Sequence, residues 1–187
     1  MKYNFLFIIG LLIVSENSNS QAVLTKLEKD KRTKKDKEFI LEIRESFTKT
    51  KDSLKVDFNN SDTLFIIRGL DIQSRTGYGY IWNKDLKIKF NDDKTYKDHK
   101  LLHSNPKIEV YIPNNVLWDD FNDLIPLIEK WDTTAINKYV NSCDQTTDTW
   151  WHWGIYRLIK NEPKFDVIYI RDFFNFKKYK EKQNANR

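Results

Sequence analysis

One cysteine, Cys143, stands in a chain of 187 residues, so no intrachain disulfide can form and the fold must rest on its own core. That excludes the disulfide-stapled toxins and growth factors, and it leaves no cysteine pair for a structural zinc site. Five glycines and four prolines supply no Gly-rich or Pro-rich linker to divide the body, and no internal repeat is apparent. Long apolar runs are scarce too. Beyond Val14 no segment is apolar for the roughly 20 residues that cross a bilayer. About 165 residues then remain, ample for one domain with a proper core.

The N-terminus carries the exception. Lys2 precedes an uninterrupted apolar run of ten residues, Phe5 to Val14, and a small-polar segment follows in which Ser18 and Ser20 precede Gln21. This is the pattern of a secretory signal peptide over residues 1–20, cut before Gln21. Ten apolar residues are too few for a membrane span, and no cysteine lies near the cut to carry a lipid. The expectation is an exported protein, secreted or periplasmic, whose mature part is residues 21–187.

The net charge of +5 invites a nucleic-acid reading until it is located. Residues 26–38 contribute +3 and the tail 177–187 contributes +4, which leaves −2 for residues 39–176. A nucleic-acid binder concentrates Lys and Arg on the folded domain. Here the basicity belongs to the two ends, a lead-in at 21–35 and the tail, which read as solvated and partly disordered. Nucleic acid is not an expected partner.

Periodicity outlines the body. Phe39, Ile40, Ile43 and Phe47 form the apolar stripe of a helix over Asp36 to Lys51, ended by a turn cluster at 57–62. Alternating or apolar runs at 63–70, 78–83, 85–90 and 108–112 read as strands, with Tyr78, Tyr80 and Trp82 on one face of the second. Pro106 and Pro113 bracket the last of these, as an edge or end position tolerates. Leu117, Phe121, Leu124, Ile128 and Trp131 recur at helical spacing, with Pro126 expected to kink or split the helix. Asp132 is placed to cap a second piece over 133–140. Two final strands, 150–159 and 165–171, make a hairpin. The pattern predicts a single α+β domain, an antiparallel sheet of about six strands with helices packed on one face.

Chemistry-bearing residues are few. In "NSCDQTTDTWWHWGIYRLIK" the tryptophans alternate on a strand whose two faces are both apolar, which favours a covered central strand. The functional alternative is an open aromatic cleft of Trp150 and His152 with Tyr78, Tyr80 and Trp82. Cys143 and His152 could pair as nucleophile and base, but Cys143 follows a helix's carbonyl end, which disfavours a thiolate. His99 and His103 lack the glutamate and helix of a metal motif and read as loop residues. Asp119, Asp120 and Asp123 suit the first turn of a helix without any catalysis. "NDDKT" at 91–95 lacks calcium-loop spacing and reads as a turn.

Arg68, Arg157 and Arg171 each interrupt an apolar strand. A buried guanidinium needs a partner, and salt bridges to Glu109, Asp166 or Asp172 would supply it. Alternatively, two of the three converge on an anionic or carboxylate-bearing ligand. The expectation is a non-catalytic binding module with an aromatic and arginine-bearing sheet face, a protein or envelope-glycan partner, and no cofactor or metal. An extracytoplasmic hydrolase and a structural envelope protein are the alternatives.

Overall fold

The computed structural model describes residues 22–71, 77–97, 100–111, 123–143 and 151–170. Among these run, in order, α1 (Val23–Lys29), α2 (Lys37–Leu54), β1 (Thr63–Asp71), β2 (Gly77–Trp82), β3 (Lys87–Lys97) and β4 (Lys100–Tyr111). Then come α3 (Ile125–Glu129), α4 (Thr133–Asn141), β5 (Trp151–Ile159) and β6 (Asp166–Ile170). The strands form one antiparallel six-stranded sheet in the order β4-β3-β2-β1-β5-β6. β5 pairs with β1 along its whole length, from Thr63 opposite Ile159 to Asp71 opposite Trp151. The chain therefore returns from the β4 edge to the sheet centre. The α+β class and the antiparallel sheet are as expected.

Alternation along β1 sets up two cores. Phe65 and Ile67 point to a front face, where Trp82, Trp153 and Ile155 meet Ile128, Ile136 and Val140 of α3 and α4. Leu64 and Ile66 point to a back face, where Ile81, Ile88 and Leu158 meet Phe39, Ile43 and Phe47 of α2. The helices, expected on one face, are thus divided between the two. The reason is the strand chemistry: β1 and β5 are apolar on both sides, and each side needs a cover. A fully buried side chain of this size contributes about 1.5–3 kcal/mol.

The helix ends follow local rules. Asp36 caps α2 by accepting the Phe39 amide at 2.9 Å, and Asp132 caps α4 through the Ala135 amide at 2.9 Å. Pro126 lies in the first turn of α3, where no amide donor is needed. Trp131 ends α3 at φ 50°, with its amide on the Ile128 carbonyl and the Asp132 amide on Leu127. That is the Schellman arrangement with tryptophan where glycine is usual. Residues 112–122 of the predicted helix lie outside the described residues.

Two expectations are corrected. The lead-in is folded rather than disordered: α1 buries Val23 and Leu27 completely, and the buried Lys26 donates to the carbonyls of Ile159 and Lys160, while Lys29, Lys31, Arg32, Lys34 and Lys35 stay exposed. Six positive charges among residues 21–35 masked an apolar pair at i and i+4. The 91–95 segment is not a turn either. It belongs to β3, paired with β4 as far as Lys97 opposite Lys100, and His103 is a strand residue opposite Thr95. The ladder runs through polar sequence that carries no hydrophobic alternation. β4 is an edge strand among the described residues, which accommodates Pro106 within it.

Candidate functional site

The α2 stripe contains a polar core that its flanking apolar residues conceal. Glu42, Ser46 and Thr50 follow one another at every fourth residue, beside Phe39 and Ile43, and all three are buried. The apolar stripe alone gave no place to these polar residues on the buried side, yet Glu42 and Thr50 face the sheet. Beneath Glu42 the sheet has Gly77, where a Cβ would collide with the Glu42 carboxylate. The close approach therefore depends on a residue without a side chain.

Glu42 meets Arg68 of β1. Arg68 Nε donates to Glu42 Oε2 at 2.6 Å, and Nη1 donates to Asp36 Oδ2 at 3.2 Å. Arg68 is 5% exposed and Glu42 not at all, whereas the Asp36 side chain is 43% exposed. Burial opposes the arginine's charge, but Glu42 and then Asp36 outweigh it and hold its pKa above the ordinary value. The register places Gly79 and Gly154 on either side of Arg68, so neither neighbouring strand crowds the guanidinium. Its third nitrogen, Nη2, is buried and has no hydrogen-bond partner among the described residues. Such a donor costs about 1–3 kcal/mol to leave unmet.

Arg68 lines a cleft of about 290 Å³ on the back face, between the α1–α2 connection and β5–β6. Its walls are aromatic. Phe39 and Tyr156 stack with centroids 4.9 Å apart, and Tyr169 meets Tyr156 edge-on at 6.1 Å. Tyr156 folds over Gly154, where a Cβ would lie 2.5 Å from its hydroxyl. Burial first, then its neighbours Tyr169 and Asp36, push the Tyr156 phenol far above its ordinary range despite Arg68, and its hydroxyl is hydrogen-bonded to that of Tyr169. At the rim Arg32 is bound to Asp30 at 2.8 Å, and that hydrogen bond draws the Asp30 carboxyl below its ordinary value. Tyr169, 53% exposed, stands at the margin of the cleft.

The predicted site residues separate. Tyr80 and Trp82 are core on the front face, Trp82 stacked on Phe65 at 5.2 Å with its indole N–H on Glu129. Tyr78 is half-buried edge-on against Trp153. Among the described residues these rings form no cleft with His152, because Tyr80 and Trp82 pack on the front with α3 and α4 and His152 faces back. His152 lines the Arg68 cleft on the back. Cys143 packs in the front core, its thiol on the Tyr139 carbonyl at 3.3 Å, so the sheet separates it from His152. Arg157 pairs with Asp166, as one expected salt bridge, and lies 4.9 Å from the Trp131 ring centroid. Its register partner is Phe65, so Arg157 faces front while Arg68 faces back, and the two do not converge. Trp150, Arg171, Asp119, Asp120 and His99 lie outside the described residues. Sequence reasoning missed Asp36, Glu42, Tyr156 and Tyr169 as site residues.

A second cleft, about 680 Å³, opens over Trp82 and the β2–β3 turn. Its polar groups hold the local structure. Asn83 accepts the Asp85 and Leu86 amides and donates to Ser61, while Glu129 takes Trp82 and Lys87. Among the described residues no three His, Cys, Asp or Glu are grouped to hold a metal ion, and no helix is long and apolar enough to cross a membrane. Comparison with family models, with curated proteins and with solved structures returned no match.

Proposed function

We propose that the protein is a small exported binding domain without catalytic machinery of its own, and that its ligand enters the Arg68 cleft. One observation carries the reading: a buried, charged guanidinium lines a small cavity with aromatic walls. The same surroundings argue against hydrolysis. Asp36 is engaged by Arg68, and the Tyr156 phenol is held protonated, a poor general base near neutrality. A cut before Gln21 is compatible with this role, because it leaves α1 and its buried Val23 and Leu27 in place.

Two measurements test the proposal. Ligand-observed NMR of the purified protein against a broad fragment library should give hits that shift the amides of His152 and Tyr169. Hits confined to the Trp82 cleft would refute the siting. Expression of the full chain with recovery outside the cytoplasm, and a mass beginning at Gln21, would support export. A retained, uncut protein would overturn that part.

A further inference from the structure

The charge around Arg68 restricts what the cleft can hold. One guanidinium already faces two carboxylates, Glu42 at 2.6 Å and Asp36 at 3.2 Å. Across the cleft Arg32 and Arg68 are outnumbered by Asp30, Asp36 and Glu42. A ligand carboxylate or phosphate on Arg68 would be a third anion on a single cation, and its repulsion from the fully buried Glu42 would go unscreened. A ligand oxygen beside the Arg68 guanidinium is therefore uncharged, which sets aside the anionic ligand suggested by the arginine pattern alone.

Three further features narrow the class. The Asp36 carboxylate is near enough to solvent to accept a hydroxyl proton from a ligand while it holds Arg68. Tyr169 offers an exposed ring beside that carboxylate, suited to an apolar C–H face. The volume of about 290 Å³ lies at the low end for small-molecule sites and suits a single ring. A saturated ring bearing hydroxyls supplies an uncharged acceptor, a donor and an apolar face together. Resting on the cleft being the binding site, we infer that it takes one neutral pyranose unit, with one sugar oxygen accepting from Arg68 and one hydroxyl donating to Asp36.

The test titrates the purified protein with glucose, galactose, mannose and N-acetylglucosamine, and with glucuronate and galacturonate, following the amides of His152 and Tyr169. At least one neutral sugar should bind in the millimolar range or tighter, and its uronate should bind about tenfold more weakly. Oligosaccharides ending in the preferred sugar identify the source. Much tighter binding points to the end of a glycan, and equal binding points to the free sugar. Tyr169→Ala, at an exposed position, should weaken binding about tenfold with the fold intact. The paired variant Glu42→Met/Arg68→Met should abolish it. Uronates binding as tightly as neutral sugars, or no neutral sugar binding at about 10 mM, overturns the ligand class. In that case library hits at His152 and Tyr169 would still uphold the cleft as the site, and hits insensitive to both variants would refute the siting as well.

Discussion

Removing Arg68 alone should destabilise the protein far more than removing it together with Glu42. The carboxylate of Glu42 is fully buried and the guanidinium is 5% exposed, so both ions have lost their water. Arg68→Met strands the buried carboxylate, and breaking such a pair costs about 3–5 kcal/mol. Glu42→Met is milder, about 1.5–3 kcal/mol, because Asp36 still holds the guanidinium at 3.2 Å. In the double variant two methionines fill the space, and the partly exposed Asp36 can rehydrate. Stability should then lie within about 1 kcal/mol of the parent, as apolar replacements of buried pairs do. Urea unfolding of the four proteins closes the cycle. The stranded Glu42 adds a second readout. In Arg68→Met its folded pKa should rise above the unfolded value of about 4.3. The single variant should therefore regain stability, relative to the parent, as pH falls through the raised value towards the unfolded one. Additive losses in the double variant, or an Arg68→Met loss below about 1 kcal/mol, would show that the pair is not desolvated as described.

Three smaller perturbations test other parts of the fold. Lys55 closes α2 at φ 60° on the surface, so Lys55→Gly should stabilise by about 0.5–1 kcal/mol, read as a raised urea midpoint. Lys26→Met should cost about 1–3 kcal/mol, because the carbonyls of Ile159 and Lys160 lose their donor and α1 loses its tie to β5. The Tyr156 phenol has a folded pKa raised by burial, so its contribution to stability is complete below the unfolded value of about 10 and is lost as pH rises above it. Phenolate absorbance of Tyr156, taken as the difference from Tyr156→Phe, should appear only with unfolding; titration in the folded state would overturn its placement.

What could be read in advance was local. Alternation located β1, β2, β5 and β6, the apolar stripe located α2, and Asp132 marked the start of α4, because strand faces and caps depend on near neighbours. What escaped depends on the third dimension. β3 and β4 persist through polar sequence on a backbone ladder, and α1 holds its place through two apolar side chains and one lysine among charges. The site lies in this second category. Arg68 and Glu42 are 26 residues apart, and the glycines that make room for them lie on three different strand positions: 77, 79 and 154. Only the register brings Gly79 and Gly154 beside Arg68.

One clue was within reach. On a helical projection Thr50 falls between Phe39 and Ile43 and Ser46 lies just beyond Phe39, so polar side chains had to enter the interface with the sheet. A helix that places small polar residues and a glutamate against a strand containing an arginine departs from the pattern that would make the most stable interface. If methionine at both positions folds about as well, as expected above, packing alone gives no reason for the charges. The proposed siting at Arg68 rests on their placement, away from the tryptophans that first draw attention in the sequence.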